Sequence, residues 1–145
     1  MKKKIVSLGM LVCLLALSFG LVSCGGDDGG GGNVNSVKIT GLEGKSGSVV
    51  LWIQYTKDDT YDRAEATISS NQVTFTFPTA YSGNPLANGS YYIKIDVESF
   101  RYVYTNGSGT DGDGSVGGSY INNTAAVKID LSGDATIGFD KFKKD

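Results

Sequence analysis

Asp58, Asp59, Asp62 and Glu65 crowd into one short stretch of the chain. Two carboxylates facing each other across a cleft can hydrolyse a glycosidic bond without help from histidine. Their Lys-Asp-Asp-Thr-Tyr-Asp setting is instead that of a solvated turn. The sequence has no histidine, the commonest general base near neutral pH and the commonest transition-metal ligand. It also has no Gly-x-Ser-x-Gly elbow and no phosphate-cradling Gly-x-x-x-x-Gly-Lys loop. The expectation is a protein that is not an enzyme, with no catalytic residues.

Two other constellations remain. Thr110-Asp111-Gly112-Asp113-Gly114-Ser115 alternates oxygen donors with glycine, as a loop wrapped around a hard cation does. A full loop of that kind closes on a bidentate glutamate at its twelfth position, which here is Asn122. The reading is therefore no metal site, with Asp111 and Asp113 the residues that would carry one, inside a hairpin connection from Thr105 to Ser119. The aromatic residues make the other constellation, because tyrosine and tryptophan offer large contact areas with a polar tip. Val50 and Trp52, with Tyr61, Tyr81, Tyr92 and Tyr120, are the candidate ligand contacts. One of Tyr102 or Val103 would also face outward.

The elements that must position these residues are strands, since apolar residues recur with period two rather than 3.6. Tyr91, Ile93, Ile95 and Val97 face inward while Tyr92, Lys94, Asp96 and Glu98 face outward. Val73, Phe75 and Phe77 form a second inward row, and Val127, Ile129 and Leu131 a third. Further strands are expected at Val37 to Thr40, Ser48 to Tyr55, Arg63 to Ser69, Phe100 to Thr105 and Ala135 to Phe142. Ser70-Asn71 would close a hairpin. The Ser48 to Tyr55 strand is apolar on both faces, so Val50 and Trp52 are either covered or an exposed binding patch. About eight short strands with no helical pattern predict an all-β domain of two antiparallel sheets packed face to face, with a barrel as second choice.

At the other end of the chain, Lys2, Lys3 and Lys4 precede an apolar run from Ile5 to Val22. A charged start, an apolar centre and small residues before a cleavage point make a secretory signal. Leu21-Val22-Ser23-Cys24 resembles the lipobox of bacterial lipoproteins. That resemblance implies cleavage after residue 23 and a diacylglycerol and acyl lipid on Cys24, the one covalent group expected and no other cofactor. It leaves no thiol for catalysis or disulfides, since Cys13 lies in the discarded segment. Residues 24–35 are then a tether of glycine, aspartate and asparagine, reaching roughly 17–20 Å on average. Residues 36–145 are the folded domain. Loss of the three lysines takes the formal charge from −2 to −5, which disfavours nucleic acid as a partner.

Leu21 to Cys24, Gly25 to Gly32, Val37 to Leu42, Asn88 to Ile93 and Ala135 to Phe142 together resemble the small β-sandwich lipoproteins of bacterial envelopes, particularly uncharacterised ones of spirochaetes and related bacteria. The Gly-x-Tyr opening of the Tyr91 strand also occurs in immunoglobulin-like and transthyretin-like sandwiches. The resemblance implies a monomer anchored to membrane lipid, most often the outer membrane, exposed at the surface or held in the periplasm. Such a domain would bind a host or envelope protein or a glycan. The alternative is a structural or assembly role in the periplasm through pairing with another envelope component.

Overall fold

The computed structural model describes residues 31–59 and 62–145, so the signal, Cys24, most of the tether and Tyr61 lie outside the described residues. Ten strands follow in chain order: β1 (Asn33–Thr40), β2 (Ser48–Gln54), β3 (Asp62–Thr67), β4 (Gln72–Thr76), β5 (Leu86–Ala87), β6 (Gly89–Val97), β7 (Phe100–Tyr104), β8 (Ile129–Leu131), β9 (Gly133–Gly138) and β10 (Phe142–Lys144). They form a four-stranded and a six-stranded sheet that enclose one core, a β-sandwich. The only helical element among the described residues is a 3₁₀ turn, Phe139–Lys141, and no helix there is long and apolar enough to cross a membrane.

In the smaller sheet β1 is central. One edge pairs antiparallel with β4 through residues 36–40 and with β5 through residues 33–34. The opposite edge pairs parallel with β9 along Val34 to Thr40. The larger sheet runs β10-β7-β6-β2-β3, with β8 on the early part of β6. The core lies between the inner faces, with Val37, Ile39 and Phe75 on one side and Leu51, Ile53, Ile93 and Ile95 on the other. These are the apolar positions of the period-two pattern, and burying each such side chain contributes about 1.5–3 kcal/mol.

Several expectations are corrected. β1 starts at Asn33, inside the expected tether, because Val34 is buried and the strand backbone finds partners on both edges. The β1–β9 pair is parallel in a sandwich expected to be all antiparallel. Ala135 to Phe142 is not one strand: β9 ends at Gly138, and the 3₁₀ turn carries the chain across to β10 on the other sheet. The Thr105 to Ser119 segment is no hairpin connection, since β7 lies between β6 and β10 and the chain next forms strand on β6. Val127 is exposed, because β8 begins only at Ile129. Tyr102 and Val103 are both buried, Tyr102 in the main core and Val103 in a small outer cluster with Ile121 and Ala126. Lys94, expected outward and solvated, is fully buried.

Candidate functional site

The register of β3, β2, β6 and β7 sets two rows of side chains across the outer face of the larger sheet. Trp52 is opposite Arg63 on one side and Lys94 on the other, and Lys94 is opposite Val103. One rung along, Val50 stands between Glu65 and Asp96, and Asp96 is opposite Arg101. Neighbours across strands are close enough for direct contact, and the rows use it. Asp96 takes a two-pronged ion pair from Arg101, Nε to Oδ1 at 2.7 Å and Nη2 to Oδ2 at 2.9 Å. It also accepts the Trp52 indole N–H at 3.0 Å.

At the β3 edge the row ends in an aromatic and cationic stack. The Arg63 guanidinium lies 4.2 Å from the centre of the Tyr81 ring and 5.2 Å from that of Trp52. The Tyr81 hydroxyl donates to Glu65 at 3.0 Å, and Ser48 donates to the same carboxylate at 2.8 Å. Those bonds, Ser48's first, hold the Glu65 carboxyl below the usual carboxylate range. Tyr81 is 54% exposed, Val50, Trp52 and Arg63 are half-buried, and Arg63 Nε has no hydrogen-bond acceptor.

Toward β7 the same face is covered. The segment from Asn106 to Lys128 crosses it, and its backbone carbonyls are held by the polar residues beneath. Lys94 Nζ donates to Ser119 O at 2.7 Å, Arg101 Nη1 to Gly117 O at 2.8 Å and Gly118 O at 2.9 Å, and Gln54 Nε2 to Ser119 O at 2.8 Å. Burial, and then the charge of Arg101, pushes the Lys94 amine down to about 8, against the opposing pull of Asp96 and Asp145.

A separate groove of about 400 Å³ is bounded by residues 110–113, 122–124 and Asp145. Asp111 and Asp113 therefore share a wall, and the carboxylate that joins them comes from the far end of the sequence. Gly112 fits only because it lacks a side chain, since a Cβ there would fall into the Asp145 main chain. No three acidic, histidine or cysteine side chains among the described residues are grouped to hold a metal ion.

Of the candidate contacts, Val50, Trp52 and Tyr81 come together on one face. Tyr92 is half-buried under the crossing segment, packed on Val103, Ile121 and Ala126, with Lys57 and Lys128 over its ring. Tyr120 is 62% exposed. Tyr61 and Cys24 lie outside the described residues. Asp62 is buried and accepts from Thr79 Oγ1 at 2.9 Å and Ser82 Oγ at 3.0 Å, so it fastens the turn that carries Tyr81. Asp58 and Asp59 are exposed. Sequence reasoning missed Arg63, Asp96, Arg101 and Asp145. Arg63 and Asp96 sit on the outward parity of their strands, a signal that was readable, whereas the parity of the Arg101 strand was left open between Tyr102 and Val103, and nothing in the sequence ties Asp145 to residues 111 and 113. No protein-family model, curated protein or solved structure matches this chain.

Proposed function

We propose that the chain is a lipid-anchored protein of a bacterial envelope that catalyses no reaction and binds a protein partner through the Val50, Trp52, Arg63 and Tyr81 face. The observation that carries this reading is the stack of Arg63 between Trp52 and Tyr81. Tryptophan, tyrosine and arginine are the residues that dominate binding energy at protein interfaces. The stack orders the arginine beforehand, which lowers the entropy lost on binding. Asp96 and Asp62 support it from behind through Trp52 and through the Tyr81 turn. The sequence supports the anchor through Leu21 to Cys24 and the apolar run before it.

The test places a photo-crosslinking amino acid at Val50, at Tyr81 and, as control, at Asp134 on the other sheet, in the full chain on living cells. A discrete adduct from positions 50 and 81, absent at 134 and lost with Arg63→Ala, is the expected result. Equal adducts from all three positions, or none, would overturn the reading. Amine labelling of intact cells separates a surface location from a periplasmic one through Lys57, Lys128 and Lys143, because Lys94 is buried. Cys24→Ser is expected to move the protein from the membrane to the soluble fraction.

A second reading, assembly within the periplasm, is favoured by the strand edges: among the described residues β9 pairs only with β1 and β3 only with β2. Unpaired edges are templates for another strand. Stoichiometric recovery of one envelope component crosslinked at β9, with no adduct at Tyr81, would favour it over the face-binding reading.

A further inference from the structure

We propose that residues 115–120 of the crossing segment form a latch that regulates the Val50, Trp52, Arg63 and Tyr81 face: closed, it holds Trp52 in place, and lifted, it releases Trp52 and with it the Arg63 stack. Two linkages run from the latch to that one indole. In the first, Arg101 Nη1 donates to the Gly117 and Gly118 carbonyls while Nε and Nη2 donate to Asp96, whose Oδ2 accepts the Trp52 N–H at 3.0 Å. A planar guanidinium that spans both partners ties their positions together, which the single ammonium of a lysine could not do. In the second, Lys94 Nζ donates to Ser119 O and sits 5.6 Å from the centre of the Trp52 ring. Trp52 in turn lies against Arg63, which stacks on Tyr81. Loss of the latch carbonyls therefore loosens Arg101 and Lys94 together, the two cations that fix the indole.

The latch can lift without the rest of the segment, because its ends are fixed. Gly114 accepts the Arg101 amide and donates to Asp145 O, while Ile121 is buried and donates its amide to Lys57 O. Between these points every residue is exposed except Ser119, which is half-buried, and Val116 and Tyr120 are both large apolar side chains left in solvent. Little apolar burial holds the latch; side-chain donors from the sheet beneath do. Closing it also takes the Lys94 ammonium out of water beside a second cation, Arg101, which opposes the bonds that Lys94 makes. Segments with few buried apolar contacts open locally at low free-energy cost. Coupling is reciprocal, so a partner that orders Trp52 must also favour the closed latch. The regulation rests on the face-binding reading, whereas the coupling of latch to tryptophan does not.

Gly118→Val strains the latch alone. Gly118 has φ 64°, a conformation that a β-branched residue resists, and beyond its chain neighbours a Cβ there would meet only Tyr120 Cδ2, at 4.0 Å. Gly44→Val applies the same strain elsewhere, at φ 73° with no atom within 4 Å of the Cβ. In the full chain in detergent, Lys94 should be acetylated about tenfold faster in Gly118→Val than in the wild type, read by peptide mass spectrometry. Acrylamide quenching of Trp52, the single tryptophan of the chain, should rise and its emission shift to the red, with Gly44→Val unchanged in both. On cells, the photo-adduct from position 50 should weaken in Gly118→Val. Faster Lys94 acetylation with Trp52 unaltered, no change in either, or equal changes in Gly44→Val would overturn the coupling. With the coupling observed, an undiminished adduct would overturn the regulation, whereas no adduct even from the wild type would remove the face-binding reading and leave the coupling standing.

Discussion

Among the described residues, Lys94 is the side chain whose charge burial opposes to the point of a large shift. It is fully buried, feels the charge of Arg101 on the neighbouring strand, lies over the Trp52 ring on the other, and is offset by Asp96, Asp145 and the carbonyls of residues 118 and 119. Its amine titrates at about 8 when folded, against an ordinary 10.5. Below pH 8 both folded and unfolded chains hold the proton, and the penalty for burying the charge is present in full. Between about 8 and 10.5 the unfolded chain binds a proton that the folded chain has released, so this group makes stability rise with pH. Urea unfolding of the wild type and Lys94→Met at pH 7 and pH 10 should therefore show the wild type gaining on the variant, by at most roughly 3 kcal/mol. Parallel curves would mean that Lys94 does not titrate in that window. Asp96→Ala should lower stability by about 3 kcal/mol, because it leaves Arg101 buried without its anion. Asp96→Asn, which keeps an acceptor, should cost less. The outward parity of Lys94 and Asp96 was legible from alternation, whereas that of Arg101 was not, because the sequence left open which of Tyr102 and Val103 faces outward. Nor was their burial legible, because the covering segment is fixed by contacts that no local pattern records.

At the scale of elements, alternation identified strands and faces but not partners. The Ser70-Asn71 turn was readable because two residues between apolar runs imply a two-residue loop, and both residues adopt positive φ, 53° and 60°. Asparagine followed by glycine suits that conformation better than serine followed by asparagine. Ser70→Asn with Asn71→Gly should stabilise by about 0.5–1 kcal/mol, read as a rise in thermal midpoint; a fall would show that the native side chains hold the turn. β1 was harder to delimit, because Asn33 to Asn35 continue the composition of the glycine-rich stretch before them. Only β5 and β9, distant in sequence, make a strand of them. A chain starting at residue 36 should accordingly be less stable than one starting at residue 31 by about 2 kcal/mol, the burial of Val34. Equal denaturation midpoints would place the start of the domain back at residue 36.

For the whole molecule, the two-sheet architecture was legible because about eight short strands, most with one apolar face, have few ways to bury it. The topology was not, since parallel pairing of β1 with β9 joins segments almost a hundred residues apart, as does the Ser36 to Asp134 hydrogen bond, separated by 98 positions. The larger sheet divides its outer face between an open aromatic edge and a strapped polar half, and the segment that makes the strap also builds one wall of the acidic groove. β1 bears on a further property, mechanical strength. It is the strand at which the described chain enters the sandwich, and it is seamed on both sides, to β4 and β5 along one edge and to β9 along the other. Traction applied at Asn33 cannot unzip a marginal strand one bond at a time. It must shear both seams together, so the domain resists being pulled from this side more strongly than a sandwich whose first strand lies at a sheet edge.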